Sequence, residues 1–377
     1  MKFQAEGMKR DKSLEIASLT KHQYYHQPSS CKKRGRPKST HTRKKVKQTE
    51  LLVEDKVVIA DMIKIDSNAD LSCGTKRMTS QLHLLGYIIN RKKVARLMKE
   101  YALTKQSRKQ TKKRYAKYRV VTPVEPLEVL EMDIKQVWVV RDRRNAYILT
   151  VLDTFTRETL AWTVSFSITS REVKQLWDFV IIHHLEPAGM AARELRVEIR
   201  NDGGPQFAAR IVQEYFELNG LNQVFTHPYT PQENGHIESF HSILSASIDK
   251  EYFSLMELEN RLTRFYYMYN HKRTHTGTKG LPPAMFKTAW HNDLVTTCYD
   301  QKKRNVIIKL KHPIYEIPGI LSQREHLAKQ LKRAKRTDTE NNGGGKSSSA
   351  THAETPVYPS SSVASCDANK SEIFMLI

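Results

Sequence analysis

The chain has 377 residues with 62 Lys+Arg against 40 Asp+Glu and a formal charge of +22. That length suits two or three folded units, and the charge points to a polyanion partner, a trait that ribosomal and membrane-surface proteins share. Cys31, Cys73, Cys298 and Cys366 lie far apart with no CxxC pair and no secretory leader, which argues against a disulfide framework or a cysteine zinc site and fits a reducing, cytoplasmic setting; no apolar run approaches the roughly 20 residues of a membrane span.

The basic excess belongs to the first third: residues 1 to 120 hold 31 Lys+Arg against 10 Asp+Glu, and the rest of the chain holds 31 against 30. Residues 1–49 read as a basic N-terminal arm. Its run Lys32-Lys33-Arg34-Gly35-Arg36-Pro37-Lys38, followed by Arg43-Lys44-Lys45, should repel itself and stay extended in isolation. The Arg34-Gly35-Arg36-Pro37 core resembles an AT-hook, in which arginines enter the A·T minor groove, although a single copy reads more simply as a solvated basic linker.

From Glu50 the apolar positions Leu51, Val57, Val58 and Met62 follow a helical period that ends in Asp66-Ser67-Asn68. A second amphipathic stretch, Lys76 to Leu85, stops at Gly86. Asn90 can cap a third helix whose Val94, Leu97, Met98 and Tyr101 share one face, leaving Arg91, Lys92, Lys93 and Arg96 largely outward. A helix, a glycine turn and a helix basic near its start follow helix-turn-helix logic over residues 50–120, with those four cations as DNA contacts. A helical hairpin with a solvated cationic face is the plainer alternative.

Pro123 and Pro126 mark the next boundary. Leu127 to Val140, Ala146 to Asp153 and Leu160 to Ile168 carry the β-branched and aromatic residues of three strands. A helix over Arg171–His184, a strand over Leu195–Arg200, a helix over Phe207–Leu218, a strand over Asn222–Phe225 and helices over Gln232–Asp249 and Leu255–Asn270 follow. This order predicts an α/β fold of the ribonuclease H-like kind over residues 125–290: a mixed five-stranded sheet with flanking helices, preceded by the α-helical helix-turn-helix domain. Trp162, Trp177 and Tyr266 belong to its core, and His183 and His184 end a helix where positive charge is favourable. Residues 291–336 form a C-terminal extension, and the Gly, Ser, Thr and Asn content of 337–377 predicts a disordered tail.

Three acids carry the candidate chemistry. Asp133 interrupts the apolar strand positions Leu130, Met132 and Ile134, where an unpaired buried charge would be costly; it could instead be a strand-end acid facing solvent. Asp202 ends a strand before Gly203-Gly204-Pro205, where turn formation and helix capping are the simpler roles. Glu238 lies one or two turns into a helix and alone would mean nothing. The 35 residues between Asp202 and Glu238 are enough for a helix, a strand and a loop that return to the same sheet edge. If the three converge they can hold two divalent ions, which suit oxygen donors and in-line displacement at phosphorus. His227, Tyr229 and Gln232 could position a phosphate or a terminal base, or only hold their loop.

The blocks Met132-Asp133, Asn201-Asp202-Gly203-Gly204-Pro205-Gln206-Phe207 and His227 to Phe240 make residues 127–287 resemble the catalytic core of retroviral-integrase-like DDE transposases. Lys76 to Leu103 is similar to the helix-turn-helix ahead of that core in bacterial insertion-sequence transposases of the second-reading-frame type, and Tyr269-Asn270 with Leu281-Pro282-Pro283-Ala284 to their closing motif. The resemblance implies that Asp133, Asp202 and Glu238 bind Mg2+ or Mn2+, nick an element end and direct the freed 3′-hydroxyl onto a second phosphodiester. It also implies double-stranded DNA as partner, a homo-oligomer on that DNA, a fusion or partnership with an upstream-frame helix-turn-helix protein, and a nucleoid-associated location in a bacterium. Ser245 stands where such proteins commonly carry Lys or Arg, which leaves terminal-base contact either weaker or supplied by His241, one turn from Glu238; Gly203 replaces a frequent Asn. Two other readings stay open: a DNA-binding regulator with a decayed nuclease core, and a ribonuclease H or junction resolvase.

Overall fold

A computed structural model describes residues 7–25, 38–47, 49–104, 121–189, 197–227, 231–300 and 305–341. The chain divides into two units, Met1–Thr40 and His41–Ile377. In the first, α1 (Arg10–Ile16) and α2 (Lys21–Tyr25) are linked by Arg10 Nη1 donating to the Tyr25 hydroxyl at 2.7 Å. Arg34 and Arg36 of the AT-hook-like core lie outside the described residues.

In the second unit, β1 (His41–Val46) and β2 (Thr49–Glu54) form an antiparallel hairpin, and β3 (Tyr87–Ile88) pairs with β1 in the order β2-β1-β3. This corrects two expectations. The run Arg43-Lys44-Lys45 is a strand, because acids meet its charge: Arg43 pairs with Glu50 at 3.5 Å, Lys44 with Asp61 at 4.0 Å and Lys45 with Glu316 at 3.0 Å. Leu51 stands exposed on β2, and helix α3 (Asp55–Ser67) starts only after it. With α4 (Thr75–Leu84) and α5 (Arg91–Glu100) it encloses Val58, Met62, Met78, Leu82, Tyr87 and Met98. Gly86 turns the chain between α4 and β3 at φ +86, and a Cβ there would meet the Lys45 carbonyl oxygen at 2.4 Å, so only glycine fits.

The central sheet holds β4 (Val129–Val139), β5 (Arg144–Asp153), β6 (Thr159–Ser165), β7 (Val197–Asn201) and β8 (Leu221–Phe225) in the order β6-β5-β4-β7-β8. The first three are antiparallel, and β7 and β8 run parallel to β4, so the sheet is mixed as expected. A sixth strand, β9 (Glu251–Tyr252), was not anticipated: β7 pairs with only the first three residues of β4, and β9 occupies the free edge at Trp138 and Val139. Helix α6 (Ser170–Val180) opens on a capping box between Thr169 and Glu172. α7 (Pro205–Ala208) and α8 (Arg210–Leu218) connect β7 to β8, while α9 (Gly235–Ser247) and α10 (Leu255–His271) cover the other face.

One face of the sheet buries Leu130, Met132, Val173, Leu176, Trp177 and Phe216 under α6 and α8. The other buries Val137, Val139, Trp162, Phe240 and Tyr266 under α9 and α10, with Trp162 and Tyr266 stacked at 4.7 Å. Both tryptophans and Tyr266 are thus core residues. The His183-His184 pair sits in a wide turn, Ile181–Leu185, that continues α6. Burial, aided by the Lys287 charge, lowers the His184 pKa to about 4, and its Nε2 bonds the Leu160 carbonyl at 3.0 Å. A neutral ring replaces the charged helix end that the sequence suggested.

Asn270 ends α10 by gripping Thr159: its Oδ1 accepts the Thr159 N–H and hydroxyl, each at 3.0 Å, and its Nδ2 donates to the Thr159 carbonyl. The helical head is seated on the core. Asp70 pairs with Arg261 at 2.6 Å, the Asp70 carbonyl accepts from Arg273, and Gln81 Nε2 donates to the Lys272 carbonyl at 2.8 Å. Beyond lie α11 (Pro283–His291), β10 (Val295–Asp300) paired with β11 (Asn305–Leu310), and α12 (Ile317–Asn341), which continues past Thr337 into the span expected to be a tail. Residues 342–377 lie outside the described ones.

Candidate active site

Alternation along β4 sorts its side chains. Leu130, Met132 and Ile134 face the apolar layer under α6 and α8. Glu131 and Asp133 face α9, as their contacts show: Glu131 Oε2 accepts the Ile237 N–H at 2.6 Å, and Asp133 Oδ2 stands 3.3 Å from His241 Nδ1. Asp133 keeps 26% of its side chain exposed, and its Oδ1 accepts the N–H of Ile134 at 2.7 Å.

Asp202 follows β7 directly. β4 and β7 pair in parallel with Glu131 opposite Arg200, and extending that register by two residues sets Asp133 level with Asp202. The Asp202 carboxyl is held above its ordinary pKa by burial and by the Asp133 charge, against a hydrogen bond from the Gly204 N–H at 3.1 Å. The strand end is fixed by buried Asn201, whose Oδ1 accepts from Gln223 Nε2 at 3.0 Å and whose carbonyl accepts the Thr226 N–H at 3.0 Å.

Glu238 lies in the first turn of α9 and is exposed. It precedes His241 by three residues, a spacing at which helix neighbours stand about 5–6 Å apart at Cβ. The approach to α9 is tied down. Glu233 is buried and accepts from both the His227 N–H (3.0 Å) and its Nδ1, while Arg200 Nη1 donates to the Glu233 carbonyl at 3.3 Å. Pro231–Asn234 forms a 3-10 turn, Asn234 is buried, and Tyr229 lies outside the described residues. His227 is therefore engaged by its own loop.

Asp133 and Asp202 are brought within electrostatic reach, and Glu238 is carried by α9, the helix that meets β4 through Ile237 and His241. Among the described residues, no three His, Cys, Asp or Glu side chains are gathered closely enough to hold a metal ion. The donor set still fits one. All three offer carboxylate oxygens, the ligands of hard divalent cations, and the mutual repulsion of Asp133 and Asp202 is what a bound cation relieves.

The sequence alone did not single out Glu131 and Arg200, which lie buried behind this edge, or half-buried Arg157. Burial raises Glu131 to a pKa of about 7, against the Ile237 N–H and the charges of Arg157 and Arg200. Burial, with those two arginines, lowers His236 to about 3. The signal was present: Glu131 shares the parity of Asp133 on an otherwise apolar strand.

Of the cationic candidates, Arg91 and Lys92 are exposed at the start of α5. Lys93 and Arg96 are not free to face outward. Lys93 Nζ lies 2.6 Å from Asp55 and donates to the His41 carbonyl, and Arg96 reaches Asp55 and Glu100, each at 3.6 Å. Asp55, absent from the periodicity argument, turns them inward. His241 is only 11% exposed against Asp133, and the Ser245 hydroxyl bonds back to the His241 carbonyl at 2.8 Å.

Residues 123–231 and 219–283 match two family profiles, each described as an integrase core domain, and residues 54–111 match an HTH-like domain. An uncharacterized 39.2 kDa protein of insertion element IS476 from Xanthomonas euvesicatoria is 26% identical over 201 residues, covering 52% of this chain and 55% of that protein. The chain thus spans about half the length of that relative. A putative transposase, InsK, for insertion sequence element IS150 of Escherichia coli K12 is 25% identical over 228 residues, covering 57% and 77%. Among solved structures, the catalytic core domain of BIV integrase aligns with TM-score 0.32 at 18% identity, over 44% of this chain and 98% of that one. The catalytic domain of Mos1 mariner transposase aligns with TM-score 0.30 at 14% identity, over 44% and 82%. Residues 123–283 are thus similar to integrase core domains and residues 54–111 to an HTH-like domain, and the relatives found include insertion-element proteins.

Proposed function

We propose that this chain is a DNA transposase, a polynucleotidyl transferase that nicks the ends of an insertion element and joins the freed 3′-hydroxyl to DNA by transesterification. The observation that carries this reading is the parallel register of β4 and β7, which extended by two residues sets Asp133 level with Asp202, beside the helix α9 that bears Glu238 and meets β4 through Ile237 and His241. Asp133, Asp202 and Glu238 would hold the divalent cations, Mg2+ or Mn2+, which when bound activate the attacking oxygen and stabilise the leaving one. The middle of β4 and the end of β7 orient two of the carboxylates, and His241 keeps Asp133 turned toward α9. In each displacement the attacking hydroxyl loses its proton, a new P–O bond forms, and the bond to the leaving 3′-oxygen breaks.

Residues 50–120 would read the element ends, with exposed Arg91 and Lys92 at the start of α5 and the Arg34 and Arg36 arm reaching the duplex, and residues 125–290 would perform the chemistry as a homo-oligomer on DNA. No helix among the described residues is long and apolar enough to cross a membrane, which suits a proposed place at the nucleoid. The test is incubation of the purified chain with its own flanking DNA and Mg2+ or Mn2+. Metal-dependent nicking at the ends, lost alike in Asp133→Asn, Asp202→Asn and Glu238→Gln, is the expected result; equal nicking by variants and parent removes the assignment. The exposed position of Glu238 favours a second reading, a DNA-binding regulator with a decayed core. Tight binding of the ends with no cleavage in either metal would select it.

A further inference from the structure

The start of α9 lacks a local cap: Asn234 makes no side-chain hydrogen bond to the first turn. Helices leave their first N–H groups without intrahelical partners, and burying them unsatisfied is costly. Here the missing acceptor comes from the strand that bears Asp133. Glu131, fully buried, accepts the N–H of Ile237 at 2.6 Å. Four residues further along α9, His241 meets Asp133.

These two ties have matching lengths. Glu131 and Asp133 are two strand residues apart, about 6.6–6.8 Å, and Ile237 and His241 are four helical residues apart, about 6 Å. Strand and helix are therefore fastened at two points with nearly equal spacing, and Glu238 lies between the two on the helix side. A slip of α9 by one residue would break both ties.

We propose that Glu131 is a positioning residue: by capping α9 from β4 it fixes the height and rotation of Glu238 relative to Asp133. The inference rests on the assignment of Asp133, Asp202 and Glu238 as the metal-binding acids. Glu131 itself touches neither substrate nor cation in this scheme. Its second oxygen, Oε1, is buried with no hydrogen-bond partner, so one oxygen carries the tie.

The test compares the full-length parent with Glu131→Gln, which keeps an acceptor oxygen, and Glu131→Leu, which fills the same buried space without one. Amide hydrogen exchange over residues 235–241, Mn2+ binding followed by electron paramagnetic resonance without DNA, and cleavage of element ends are measured on each. In the parent, the Ile237 amide is expected to exchange at least tenfold more slowly than a solvent-exposed first-turn amide. Glu131→Leu is expected to lose that protection and weaken Mn2+ binding at least tenfold, and Glu131→Gln to restore most of both. Unprotected Ile237 in the parent overturns the proposal even if Glu131→Leu fails to fold. So does a folded Glu131→Leu that binds Mn2+ as the parent does. If instead the parent nicks DNA and Glu238→Gln nicks equally well, the acid assignment fails, an outcome separate from failure of the cap and one that removes this proposal's premise.

Discussion

The two faces of the central sheet are built from the same strands and obey different rules. Under α6 and α8 the face of β4 is apolar, Leu130 and Met132 packing against Leu176 and Trp177. Under α9 the same strand presents Glu131 and Asp133, with Arg157 and Arg200 close enough to act on Glu131. Both faces bury an apolar core, and the one under α9 also holds charged groups that a plain core would not keep. Alternation with a period of two lets a single strand serve both without compromise.

The strongest way to break this comparison is on the charged face. Asp133→Asn, Asp202→Asn or Glu238→Gln should lower end cleavage on the order of a thousand-fold or more. Urea unfolding of the same variants should move by less than about 1 kcal/mol, as expected where packing is untouched. A large loss of stability in Asp202→Asn would contradict the repulsion described above, since neutralising that acid removes the like charge facing Asp133.

On the apolar face the reverse is expected. Trp177→Ala should cost about 3–5 kcal/mol in urea unfolding, through lost contacts and the cavity left among Val173, Val180 and Phe216. Protein that remains folded should cleave at near the parent rate. A variant with parent-like stability would mean that the face is not tightly packed.

A pH series sharpens the contrast further. His184, at the end of the apolar layer, has a folded pKa of about 4, below its ordinary value of 6.5, so the unfolded chain takes up the proton first. Its contribution is fully present above about 6.5 and is lost as pH falls toward about 4, at no more than about 1.4 kcal/mol per pH unit for one group. Urea midpoints between pH 7 and pH 5 should fall less steeply in His184→Gln than in the parent. An unchanged slope would assign the acid sensitivity to other buried rings such as His275, whose pKa burial lowers to about 3. The smallest effect belongs to Thr169→Ala, which removes the α6 capping box and should cost about 1 kcal/mol with no change in cleavage.

Much of the core was legible because its signals are local. Runs of β-branched and aromatic residues gave β4, β5 and β6, the Asn201-Asp202-Gly203 turn gave the end of β7, and the pattern Val173, Leu176, Trp177, Val180 gave α6. What was hidden depends on partners distant in the chain. The strand from His41 to Val46 looks self-repelling until Glu316 is brought to Lys45. Lys93 and Arg96 look like an outward cationic face until Asp55 reaches them. Glu131 reads as an acid on a strand, and its use becomes visible only when the start of α9, more than a hundred residues later, arrives without a cap of its own.

The seam between the helical head and the core has a consequence for how such proteins can be recombined. Asp70 is 4% exposed where it meets Arg261, and Arg273, which donates to the Asp70 carbonyl, is likewise buried. A chimera that exchanged the head at the segment between residues 104 and 121 would leave Arg261 without its acid unless the incoming head brought one at the equivalent loop, and Arg273 would need a main-chain carbonyl at the same place. A new head could therefore be grafted onto this core only together with that ionic seat, so heads and cores would be inherited as matched pairs.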